Sequence, residues 1–94
     1  MILHILNRSA FGSRVPDDMA SALLPGDTVI LIEDGVFTGM APDYSRIETV
    51  RWHALREDAV SRGVAGRLPD DVHLVDVDGF IRLTAEATST ISWF

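Results

Sequence analysis

The side chains able to do chemistry in this sequence are carboxylates, three histidines, a few serines and the arginines. Several aspartates lie at or just beyond the ends of apolar runs, among them Asp34, Asp58, Asp76 and Asp78. Carboxylates converging from strand ends can hold Mg²⁺ through oxygen ligands and serve phosphoryl transfer or hydrolysis. Asp34, Asp58 and Asp76 would form that set. Aspartate at a strand end more often caps the next helix or closes a turn. His4, His53 and His73 each fall inside a strand-like run, so a zinc site would need three separate strands to converge. Satisfied strand histidines are the plainer expectation. Ser9, Ser13 and Ser61 lie in no G-x-S-x-G elbow, and the glycines form no phosphate-binding loop. A third possibility is a homo-oligomer that meets a small anion through Arg8 and Arg56.

Two absences narrow the chemistry further. The chain has no cysteine, which excludes disulfides, thiolate metal sites and any persulfide carried on this chain. All eight basic residues are arginine, so a P-loop lysine and a Schiff-base lysine are excluded as well. The reading is of a non-enzyme with no cofactor and no metal of its own. With a net charge of −6 and no arginine cluster, the surface would repel a phosphate backbone, so no direct nucleic-acid contact is expected. The longest apolar stretches, such as Val29 to Ile32, are too short to cross a bilayer. The expected location is cytoplasmic, with no membrane partner.

These side chains need a frame, and 94 residues suffice for one domain, spanning 1–94. Ile2 to Leu6 reads as a buried first strand ending at Asn7-Arg8-Ser9. Val15 to Leu24 has helical spacing, with Pro16 suited to a first turn and Pro25-Gly26 as a stop. Thr28 to Ile32 is too continuously apolar for a half-exposed strand, so it is placed centrally, ending at Glu33-Asp34-Gly35. From Val36 to Ile47, Gly39, Pro42 and Asp43-Tyr44-Ser45 interrupt any period, which predicts a loop with at most a short helix. Thr49 to Leu55 alternates like a strand, and Arg56 to Arg62 reads as a helix ended by Gly63. Val72 to Val77 is a further strand, with Asp78 as the N-cap of a helix opening at Gly79-Phe80-Ile81. Thr90 to Phe94 closes the chain as an edge strand or docked tail. Strands alternating with helices imply an α/β fold, a mainly parallel sheet with helices on both faces.

In such a sheet ligands bind outside the carboxyl ends of the strands. The residues expected there are Asn7, Arg8 and Ser9, then Asp34 and Gly35, then Arg56, Glu57 and Asp58, then Asp76 and Asp78. Trp93 and Phe94 stand apart, because a terminus rarely exposes two large aromatics. They either close this domain's core or anchor an interface.

Three segments occur together in a specific order: Leu3-His4 with Asn7-Arg8-Ser9; Gly26-Asp27, an apolar strand and Asp34-Gly35-Val36; and Ala54-Leu55-Arg56-Glu57-Asp58 with Arg62-Gly63. Val75-Asp76, Gly79-Phe80-Ile81, Leu83 and Trp93 follow. In this the chain resembles the DsrH/TusB family over nearly its whole length. The resemblance implies a DsrE-like three-layer sandwich. It implies a subunit that joins two related DsrE-like chains, of the TusC/TusD or DsrF/DsrE kind, in a heterohexamer with two copies of each. One partner bears the reactive cysteine, and the complex passes persulfide sulfur, toward 2-thiouridine at the tRNA wobble position in one branch and in dissimilatory sulfur oxidation in the other. Ala10 stands where the family usually has proline. Met19 and Ala20 occupy the region where the sulfur-oxidising branch can carry a cysteine, so the sequence leans toward the tRNA-modifying branch. Asp34, Gly35, Phe80 and Trp93 are the residues expected to serve packing or an interface, Asp34 by shaping the turn after the central strand.

Overall fold

The computed structural model describes residues 1–41 and 47–94. Five strands, β1 (Ile2–Leu6), β2 (Thr28–Leu31), β3 (Arg51–Leu55), β4 (Val72–Val75) and β5 (Ser89–Trp93), form one sheet in the order β4-β3-β2-β1-β5. Every pairing is parallel. All four residues of β2 are buried, as its unbroken Thr-Val-Ile-Leu run requires of a strand with neighbours on both sides. The expected central strand is therefore in place.

The connections explain this order. From β1 to β4 the chain steps toward one edge through α1 (Val15–Ala22), a 3-10 helix (Glu33–Met40) and α2 (Arg56–Ser61); α3 (Val77–Glu86) then carries it back across the whole sheet to β5. Right-handed crossovers in opposite directions place their helices on opposite faces. The main core accordingly joins Met19, Val36 and Ala59 from the first group to Leu6, Val29, Leu31, Trp52, Ala54 and Val72 of the sheet. On the α3 side Leu3 and Ile30 are fully buried and Thr28 nearly so.

Several boundaries differ from expectation for local reasons. Glu33-Asp34-Gly35 does not merely end the strand but opens the 3-10 helix, longer than the short helix allowed for; Pro42 and Asp43-Tyr44-Ser45 of that segment lie outside the described residues. Thr49 and Val50 precede β3 instead of joining it. The N-cap of α3 is Asp76, not Asp78: Asp76 is extended, and its Oδ1 accepts the Gly79 N–H at 2.8 Å. Asp78 lies within the first turn, where its charge faces the positive end of the helix.

The end of α2 follows its sequence closely. Gly63 has φ 71°, and the N–H groups of Gly63 and Val64 return to the carbonyls of Val60 and Ala59 at 3.0 and 2.9 Å. A side chain there pays the left-handed penalty of roughly 1–2 kcal/mol. Gly63→Ala is thus expected to lower the melting temperature by roughly 4–8 °C or somewhat more, measured by circular dichroism.

Candidate functional site

The carboxyl rim of the sheet gathers most of the residues expected there, but their partners are structural. Asp34 Oδ1 accepts from Arg62 Nε at 2.9 Å in an exposed pair of little energetic consequence. Asp58 Oδ2 accepts the Glu33 N–H at 2.6 Å, and Arg62 Nη1 lies 3.7 Å from its Oδ1. This contact holds Glu33 at φ 49°, a strained setting for a residue with a side chain. Asp76 is occupied as a helix cap. Asp34, Asp58 and Asp76 thus answer to backbone and arginine. Among the described residues no three His, Cys, Asp or Glu side chains come together as a cation site.

The other rim residues are likewise engaged by the fold. Ser9 Oγ accepts the Phe11 N–H at 3.1 Å, and the Arg8 carbonyl accepts from Thr38 Oγ1 at 3.1 Å. Ser13 Oγ accepts the Val15 N–H, and Ser61 Oγ donates to the Asp58 carbonyl. None of these three serines is bonded to a histidine. Arg8, Arg56, Glu57 and Asp78 are exposed. Gly35 is buried with its backbone directly against the end of β1, where a Cβ would overlap the Leu6 carbonyl and approach Asn7 Cα to 3.3 Å. Its role is close approach of two backbones.

The strongest polar constellation runs diagonally across three strands. Asp27, buried at the start of β2, takes the Ile2 N–H on Oδ1 at 3.2 Å and the Leu24 N–H on Oδ2 at 3.1 Å. The same Oδ2 lies 2.9 Å from His4 Nε2, and His4 Nδ1 is 3.0 Å from Trp93 Nε1. Indole N–H only donates, so His4 Nδ1 accepts and Nε2 carries the proton toward Asp27. Burial raises the Asp27 pKa, but the bonds from His4, Leu24 and Ile2 outweigh it and hold the carboxyl below its ordinary value. Both imidazole nitrogens are occupied, leaving no lone pair to act as a base. The sequence placed Asp27 only as the residue before a strand. The Gly-Asp pair after Pro25 was the available signal, and it spoke of a turn.

Trp93 is half-buried on the same side as His4, with ring planes 19° apart, while Phe94 is 61% exposed. Trp93 therefore closes its own domain. Phe80 is half-buried on α3. His53 and His73 occupy the register row of Ile5 and Ile30, adjacent to the row containing His4, and so project from the opposite face. Their rings are 5.8 Å apart. The three histidines do not converge. Burial lowers the His53 pKa, opposed by the nearby Val29 carbonyl and assisted by His73 and Arg51.

Comparison with known proteins agrees with this frame. A family model described as DsrH like protein matches residues 8–90. Protein TusB of Escherichia coli strain K12 is 33% identical over 100 residues, covering 98% of this chain and all of the relative, and TusB of strain SMS-3-5 is 32% identical over 99 residues with the same coverage. In structure the chain is similar to protein Tm0979 from Thermotoga maritima, with a TM-score of 0.68, 22% identity and coverage of 90% and 92% of the two chains. It is equally similar to the ychN protein from E. coli, with a TM-score of 0.68, 15% identity and 97% of each chain covered. These two likenesses concern the fold. With the family model matched along most of its length and full-length relatives a third identical, the chain belongs to the DsrH/TusB family.

Proposed function

We propose that this chain is a non-catalytic subunit of a sulfur-relay complex that supplies 2-thiolation of the tRNA wobble uridine. The observation that carries the reading is family membership joined to a complete lack of cysteine. In persulfide transfer a thiolate attacks the terminal sulfur of a donor persulfide, forming a new S–S bond and releasing the donor as a thiolate. Both thiols must then belong to other chains. The partners are two related DsrE-like subunits, one bearing the reactive cysteine, in a heterohexamer with two copies of each. Met19 and Ala20 in place of a cysteine favour the tRNA branch over a DsrH-like role in sulfur oxidation.

The assembly surface that suits this role is the β5 edge. Strand β4, the other edge, is flanked by Asp70, Asp71 and Asp76, whereas no charged side chain occurs from Ala87 to Phe94. Exposed edges in soluble proteins are usually guarded by charge, proline or a bulge, and β5 has none of these in its five-residue register with β1. Asn7 N–H donates to the Trp93 carbonyl, so alternation along the ladder turns the Thr90 and Ser92 N–H groups outward. Ile91 and Phe94 add exposed apolar surface beside it.

Affinity purification of the tagged chain from its native host tests both steps. Two DsrE-like chains, one with a cysteine, should copurify in equal amounts. Recovery of the chain alone would refute the complex. Thr90→Pro removes an outward donor while sparing the β1 ladder, and should reduce partner recovery about tenfold, equivalent to ~1.4 kcal/mol, with the melting temperature little changed. Undiminished recovery would exclude the β5 edge. Deletion of the gene should deplete 2-thiouridine in total tRNA hydrolysates analysed by mass spectrometry; an unchanged level would exclude the tRNA branch.

A further inference from the structure

A second concave feature lies away from both the rim and the β5 edge. It is a cavity of about 320 Å³ between α3 and the sheet, near the amino ends of β2 and β3. That volume is at the small end of the range for ligand sites, roughly 300–1,000 Å³. Thr28 and Arg51 are register neighbours on its sheet side, His53 follows two residues along the same face, and Leu83 and Glu86 of α3 form the facing wall. Neither Arg51 nor Glu86 has an ion-pair partner among the described residues, and they do not pair with each other. His53 Nδ1 is buried and makes no hydrogen bond of good geometry, although the Val29 carbonyl lies near the ring. A buried polar atom left unpaired calls for an explanation, and a bound group is one of the few available.

The charge pattern selects the ligand. A simple anion drawn to Arg51 would meet Glu86, and a simple cation drawn to Glu86 would meet Arg51. A molecule with both charges a few bonds apart answers both walls, with Thr28 and His53 available to its polar atoms and Leu83 to an aliphatic portion. We infer that this cavity is a binding site for a small zwitterion of the α-amino acid class, with its carboxylate at Arg51 and its ammonium at Glu86. The site is independent of the sulfur-relay reading, because none of its residues lies on β5 or at the carboxyl rim.

The full chain labelled with ¹⁵N is titrated with L-leucine and with its two halves, isocaproate and isoamylamine, while amide shifts are followed. Leucine should give saturable shifts centred on Thr28, Arg51, His53 and Leu83, with each half binding at least about tenfold more weakly. Arg51→Gln should weaken leucine and isocaproate about tenfold but leave isoamylamine unchanged, Glu86→Gln should weaken leucine and isoamylamine instead, and Arg14→Gln should alter none of the three. Both cavity substitutions are at exposed positions, so the folded spectrum serves as the control for each. Absence of saturation up to about 50 mM leucine, far weaker than a 1 mM site worth ~4.1 kcal/mol, would overturn the inference. So would isocaproate binding as tightly as leucine, or an Arg51→Gln variant that binds leucine normally.

Discussion

Gly35→Ala is expected to destabilise the protein by about 3 kcal/mol or more, the upper part of the range for overpacking, and to lower its melting temperature by roughly 12–24 °C. The added methyl would overlap the Leu6 carbonyl, and the backbone there has no flexible side-chain end that can swing aside. Relief requires the 3-10 helix to lift from β1. That movement strains the Ile32 N–H bond to Leu6 O at 2.9 Å and displaces Thr38, fully buried, whose hydroxyl joins Arg8 O and Ala10 N. Comparison with other glycines isolates the cause. At Gly39 the new methyl meets the Leu68 side chain first, which can give, so the loss should be smaller. At Gly12 and Gly66 nothing lies within 4 Å, and alanine should change stability by no more than about 0.5 kcal/mol. Thermal unfolding of the four variants is the check, and a Gly35→Ala melting temperature close to those of the Gly12 and Gly66 variants would show that the approach is not tight.

The same position shows how far the sequence could be read. Asp34-Gly35-Val36 stood out as a family pattern, yet nothing in those residues says that the glycine lies on a carbonyl 29 positions earlier in the chain. The strands were legible because their signals are local: β2 is a β-branched run, and β3 alternates. The Arg56–Ser61 helix was legible through its glycine stop. The 3-10 helix was not, since tight three-residue turns have no strong periodicity and Glu33 enters in a left-handed conformation that its type disfavours. Asp76 and Asp78 could each have capped α3, and only the strand end, one pair of residues earlier than expected, decides between them.

The rim and the core network diverge in an instructive way. Sequence position correctly placed Asp34 and Asp58 near the carboxyl ends of the strands, where chemistry is usual in this architecture. Arg62 then takes up both carboxylates, and the Asp58 contact fixes the turn at Glu33. The polar groups that shape the molecule most deeply, Asp27, His4 and Trp93, were scattered at the start of a strand, within a strand and at the tail. Their association depends on β1 lying between β2 and β5, and strand order was the one feature of the sheet that the pattern of elements left open. A chain can thus belong to a sulfur-handling family and still devote its best-connected histidine to architecture.

His4→Ala tests that assignment with the largest effect expected of any side-chain truncation here. It leaves the Asp27 carboxylate without its side-chain donor and the Trp93 N–H without an acceptor, both in buried or half-buried surroundings. Losing a hydrogen bond to a charged group costs ~1.5–3 kcal/mol and stranding a buried charge costs more, so the total should reach about 3 kcal/mol or above. Because β5 is an edge strand held by β1 and by this bond, the Ile91 and Trp93 amides should exchange with solvent much faster, while those of Val29 and Ile30 should speed up only as far as global stability falls. Equal acceleration everywhere would mean that the network does not hold β5 in particular. Acid titration supplies the second check. Asp27 has its folded pKa below its unfolded value of 3.8, so its contribution is fully present above 3.8 and is lost as pH falls through the folded value. Asp27→Asn should therefore be clearly less stable than the parent at neutral pH, and the gap should close as pH drops below 3.8. A gap that stayed constant through that window would assign the loss to packing, and not to the ionised carboxylate that His4 and two backbone amides hold in place.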